Sequence, residues 1–129
     1  AVKAINKLGI KKISIFTPYT KTINDSIINY FKKENIIVNS LTYFDIDSDL
    51  DIGKVDENYL FDVLSKIKLE DSDALFVSCT ALPALSIINR LEKKINKTVL
   101  SSNQTLIWDS LNEINYKEKI DGFGKLFNS

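Results

Sequence analysis

Four short apolar or β-branched runs, at residues 12–17, 36–44, 74–77 and 98–102, alternate with segments whose apolar residues return every three or four positions. The runs fit strands and the intervening segments fit helices. Strands separated singly by helices lie parallel, with helices packed on both faces of the sheet. Right-handed crossovers leave few topologies. The expectation is a flavodoxin-like three-layer α/β/α domain with a four-stranded parallel sheet in the order 2-1-3-4.

The segments between the strands carry local signals. Residues 1–9 read as the last turns of a helix, with Ile5 and Leu8 apolar and Gly9 at its end. With no methionine anywhere, the start reads as cut from a longer protein. Thr22 is expected to cap a helix running to about Asn35, with Asp25 completing a capping box and Ile23, Ile27, Ile28 and Phe31 on one face. The looser run at 36–44 suits a strand nearer the sheet edge. Asp56 can cap a helix with Leu60, Val63, Leu64 and Ile67 in one stripe. The run Ala74-Leu75-Phe76-Val77 is the most apolar and is expected at the centre. Residues 82–95 read as a helix with Pro83 in its first turn. Residues 104–111 read as a short helix containing Trp108, and the tail 115–129 as a glycine turn with an apolar end. The whole of 1–129 is read as one α/β domain, since 129 residues suffice for one core and are short for two.

Composition excludes several function classes. Lys plus Arg and Asp plus Glu are 17 each, and no basic stripe favours a nucleic-acid partner. No apolar run approaches the ~20 residues of a membrane span. A lone cysteine cannot form an internal disulfide, so a reducing, cytoplasmic setting is expected. The absence of histidine removes Ser/His/Asp and Cys/His catalysis and the usual zinc sites. The aspartates of residues 45–57 do not read as a calcium loop. Counted from Asp45, the sixth position is Leu50, where the turn needs glycine, and the twelfth is Asp56. Gly122-Phe123-Gly124 is not a dinucleotide fingerprint, lacking the third glycine and the strand before it. No metal or cofactor is expected.

In open α/β sheets ligands bind beyond the carboxyl ends of the strands. Those ends read Thr17-Pro18-Tyr19, Ser78-Cys79-Thr80 and Ser102-Asn103-Gln104. They would bring hydroxyls, one thiol and amides to a common rim. Such residues also serve as ordinary N-caps. Cys79, between a strand end and the helix expected from Leu82, would feel the positive end of that helix and free amides that favour a thiolate. A small buried core residue is the competing reading. Helix N-termini also accept carboxylates, so a small anionic substrate fits.

At these residues the sequence resembles the Asp/Glu racemase superfamily, in its maleate cis-trans isomerase and arylmalonate decarboxylase branch. The matching stretches are residues 8–13, Thr17-Pro18-Tyr19, Asn24, residues 75–80, residues 100–104 with Trp108, and residues 122–127. The resemblance implies two similar α/β halves with the active site between them, this chain being the second half. It implies Cys79 as the cysteine that delivers or removes a proton at the substrate's α-carbon. It implies Tyr19 and Thr80 as carboxylate ligands, with Asn24, Thr17 and Asn103 in the substrate-binding set. In the isomerases the other half supplies a second cysteine that adds to the double bond; decarboxylases lack it. The expected function is therefore cofactor-independent isomerisation of a small dicarboxylate, of the maleate-to-fumarate type. An amino-acid racemase and an arylmalonate-type decarboxylase are alternatives on the same scaffold, and a flavodoxin-like ligand-binding module is the non-enzyme one. Ala81 departs from the polar residue that isomerase-like members often carry there. The partners implied are a small carboxylate, the missing first half, and a second copy of the chain, since a cleft-facing surface left open favours self-association.

Overall fold

The computed structural model describes residues 1–69 and 71–129. Its centre is a four-stranded, all-parallel sheet in the order β2-β1-β3-β4, as expected. The strands are β1 (Lys12–Thr17), β2 (Ile37–Tyr43), β3 (Ala74–Val77) and β4 (Thr98–Ser101). The helices are α1 (Val2–Lys7), α2 (Lys21–Lys33), α3 (Asp49–Ile52), α4 (Glu57–Ser65), α5 (Ile88–Ile95) and α6 (Ser102–Glu113), with 3-10 turns at Leu85–Ile87 and Lys125–Asn128.

Side chains alternate across the sheet, and both faces are buried. Ile13 and Ile15 of β1, Ala74 and Phe76 of β3 and Leu100 of β4 join Ile5, Phe31 and Leu126 on one face. Phe16, Leu75, Val77 and Val99 join Leu60, Leu64, Ile88 and Leu91 on the other. Two-sided burial explains why the interior strands are apolar without interruption. β2, at the edge, is only partly covered, which accounts for its looser pattern.

Helix ends follow local chemistry. α1 closes on Gly9 at φ +67°, with Gly9 N–H donating to Asn6 and Ile10 N–H to Ile5. α2 and α6 close the same way on Asn35 and Asn115, both at positive φ. Asp56 caps α4 by accepting from Tyr59 N–H at 2.9 Å. Two expectations are corrected. α2 begins at Lys21 after Thr20, so Thr22 lies inside it, where Asp25 pairs with Lys21 at 2.9 Å; Ile23 faces solvent and Asn24 is buried instead. Residues 82–95 are not one helix. Ala84 N–H turns back onto the Leu82 carbonyl and a 3-10 turn follows, so α5 starts only at Ile88.

The outer edge of β4 has side chains where another strand would pair. Val99 N–H donates to Glu92 Oε1 at 2.9 Å and Ser101 N–H to Gln104 Oε1 at 3.3 Å. The far ends of the same side chains hold the tail. Glu92 Oε2 accepts from Lys125 N–H at 2.9 Å, and Gln104 Nε2 donates to the Phe123 carbonyl at 2.6 Å. Two side chains thus bridge the last strand to residues 123–125. They satisfy amides that would otherwise be orphaned or free to pair with another chain.

Candidate active site

The rim at the carboxyl ends of β1, β3 and β4 is built by three short segments. The first is Thr17-Pro18-Tyr19. Phe44 N–H donates to the Thr17 carbonyl at 3.1 Å and Ile46 N–H to the Pro18 carbonyl at 2.8 Å, extending the sheet past β1. Thr17 and Asn24 are fully buried, and the Thr17 hydroxyl donates to Asn24 Oδ1. Asn24 Nδ2 donates to the Tyr19 carbonyl at 3.2 Å, and Tyr19 N–H to Thr17 Oγ1 at 3.2 Å. The clasp fixes the backbone of Tyr19. The polar side-chain atoms of Thr17 and Asn24 are thus engaged with each other and with the Tyr19 backbone.

The second segment follows β3. Ser78 N–H donates to the Phe16 carbonyl at 2.9 Å, the last rung between the central strands. Cys79 then takes φ +128°, a region that side-chain-bearing residues rarely occupy. The residue is 6% exposed, and its sulfur accepts from Ala81 N–H at 3.4 Å. Beside it lies Tyr19, half-buried. Burial raises the Tyr19 phenol well above its ordinary value, and the neighbouring Cys79 thiol raises it further. The Ser78 hydroxyl opposes this, and the Asp49 carboxylate adds a smaller upward push. The phenol therefore stays protonated across the physiological range, a neutral donor next to sulfur.

The third segment is the start of α6. Ser101 caps this helix with a capping box completed by Gln104. Ser102 Oγ accepts from Cys79 N–H at 3.1 Å, and Asn103 Nδ2 donates to the Thr80 carbonyl at 3.0 Å. Thr80 itself is exposed. The helix beginning beside Cys79 is thus α6, from the next strand. α5 starts nine residues after Cys79, which removes the dipole expected from a helix at Leu82.

Cys79, Tyr19, Thr80 and Asn103 therefore meet at one rim, with Thr17 and Asn24 beneath. Ser102 is a functional neighbour of the thiol that the sequence does not mark: its serine type carries no signal separable from an ordinary cap. Among the described residues no His/Cys/Asp/Glu group has metal-ligand geometry. An open depression of about 680 Å³ lies elsewhere, between α6 and the tail, and contains none of these residues.

Fold and rim together define a doubly wound α/β domain with a thiol at the switch from strand to loop, the place where such sheets bind ligands. A family model described as arylmalonate decarboxylase matches residues 1–127, and the chain belongs to that family. Among its relatives is a maleate isomerase of Geobacillus stearothermophilus, 26% identical over 126 residues, covering 97% of this chain and 50% of that protein. An arylmalonate decarboxylase of Bordetella bronchiseptica is 23% identical over 129 residues, covering 98% and 54%. The fold is that of a Nocardia farcinica maleate cis-trans isomerase, solved as a cysteine-to-serine mutant with a covalently bound succinylcysteine intermediate. The TM-score is 0.92 at 17% identity, over 98% of this chain and 52% of that one. The chain spans about half the length of the relatives it matches.

Proposed function

We propose that this chain is one half of a cofactor-independent isomerase of small dicarboxylates, of the maleate-to-fumarate type, with Cys79 as its acid/base. The observation that carries the reading is Cys79 at φ +128°, its sulfur beside the Ala81 amide and the Tyr19 phenol at the strand-end rim. Backbone held in a rare region marks sites where direction matters more than stability. Tyr19 and Thr80 bind a carboxylate, Asn103 orders Thr80, and Thr17 and Asn24 fix Tyr19.

The other half of the enzyme, outside this chain, supplies a nucleophilic cysteine. Its thiolate adds to one alkene carbon of maleate, and the neighbouring carbon takes the proton of the Cys79 thiol. The former double bond, now single, rotates by half a turn. The Cys79 thiolate removes the proton again, the other sulfur leaves, and fumarate remains. Protons and electron pairs balance with no external reagent. Covalent catalysis of this kind divides one hard rotation into easier steps. The succinylcysteine of the Nocardia relative and the Geobacillus relative's name support this reading.

Decarboxylation of an arylmalonate is the second reading, favoured by the family match and the Bordetella relative. There Cys79 would protonate the carbanion left by departing CO₂. No described helix is long and apolar enough to cross a membrane. We place the enzyme in the cytoplasm, where a lone thiol stays reduced.

The test is maleate turnover, followed by NMR, in the polypeptide that carries this domain. Fumarate should appear, and Cys79→Ala should abolish it while the circular dichroism spectrum is kept. Undiminished turnover in that variant sinks the role of Cys79. CO₂ release from an arylmalonate without fumarate formation selects the second reading. A Stokes radius matching one copy would remove the expected self-association.

A further inference from the structure

We propose that Ser102 is a positioning residue for Cys79, directing the thiol through the backbone amide without touching the substrate. The inference rests on the reading of Cys79 as acid/base. At φ +128° the preferred relaxation of a cysteine is rotation back to negative φ. That rotation would swing the Cys79 N–H away from Ser102 Oγ, 3.1 Å distant. The bond thus opposes the relaxation that would also move sulfur. Ser102 is itself well fixed. It is the first residue of α6, inside the capping box formed by Ser101 and Gln104, and its carbonyl accepts from Thr105 Oγ1 at 3.2 Å. The next residue, Asn103, holds the next loop residue, Thr80, by its carbonyl at 3.0 Å. Two consecutive residues of α6 therefore pin two consecutive residues of the thiol loop. Ala81 N–H, which donates to sulfur, follows immediately. Losing the Ser102 hydroxyl leaves the Cys79 amide without its partner and lets sulfur drift from its donors.

Amide hydrogen exchange and iodoacetamide alkylation are measured on the 129-residue chain, and maleate kinetics on the polypeptide that carries it. In Ser102→Ala the Cys79 amide should exchange about tenfold faster, as for one lost hydrogen bond. Alkylation at pH 7 should speed up about fivefold, because Cys79, 6% exposed in the folded loop, opens to the reagent once its amide is released. kcat should fall about tenfold with KM within about twofold, since carboxylate ligands are kept. Ser102→Thr, which keeps the hydroxyl, should restore all three. Should Ser102→Ala not fold, Ser102→Gly takes its place at a helix start that tolerates it. Alkylation unchanged while the amide is released would overturn the proposal, as would a kcat loss that threonine fails to rescue. A parent that does not turn over maleate defeats the functional reading alone; exchange and alkylation still decide for or against Ser102.

Discussion

Gly124→Ala should loosen the docked tail and lower the stability of the whole domain. Gly124 has φ +89° and ψ 178°, a conformation essentially confined to glycine, and an alanine there is strained by about 1–3 kcal/mol. Its Cβ would lie 2.6 Å from Ile88 Cγ2, 3.0 Å from Gln104 Nε2 and 3.3 Å from Glu92 Oε2. Ile88 is fully buried, so it cannot swing clear, and overpacking adds about 1–3 kcal/mol. The chain has one escape, which is to release the tail. Release exposes Leu126, worth about 2–3 kcal/mol. It also breaks the bonds at Phe123 and Lys125, about 1 kcal/mol each. The freed residues regain chain entropy, which offsets part of that loss. The cheaper route sets the outcome, at about 2–4 kcal/mol, or a urea midpoint lowered by roughly 1–2 M. Urea unfolding followed by tryptophan fluorescence reads the loss, and trypsin cleavage after Lys125 separates the two routes. A loss below about 0.5 kcal/mol, within the range of neutral surface changes, would refute the reasoning.

Cys79→Gly should be more stable than Cys79→Ala by about 1–2 kcal/mol, because glycine adopts φ +128° without strain and alanine does not; paired denaturation curves check it. For Glu92, burial raises the carboxyl above its usual value, against the two amides it accepts from. A raised folded value means the contribution is fully present below the unfolded value and is lost as pH rises through the folded one. The stability advantage of the parent over Glu92→Gln should therefore be larger near pH 4 than at pH 7, as measured by melting at both.

The layered architecture was legible because it depends on periodicity, which the sequence displays openly, and the strand order because right-handed crossovers leave few topologies. Ala74 to Val77 are all buried, as an interior strand covered on both faces requires. The edge position of β2 could be read from its looser alternation. The start of α5 could not. Leu82, Ala84 and Ile87 are all buried, so apolar residues continue through a segment whose backbone is not helical. Thr22 misled because threonine before an aspartate three positions on fits a capping box, whereas Asp25 is used by Lys21 one turn back. At the rim, the residue types were visible and their division of labour was not. Asn24 is a polar helix residue between Ile23 and Asp25, and only tertiary structure shows it turned inward to Thr17. The positive φ of Cys79 leaves no trace in composition, since glycine is the usual marker of such a position.

The two α6 residues that fix the thiol loop lie 23 positions beyond the residues they hold. The loop can therefore take its final form only after β4 has paired with β3 and α6 has begun. Non-local pairing of this kind is slow compared with forming a helix. While the chain emerges from a ribosome, Cys79 is synthesised well before its restraints and passes through a period as an ordinary accessible thiol. Its shielding requires β4 and the start of α6 to be in place. Thiol accessibility at Cys79 thus reports whether the start of α6 has docked on its loop.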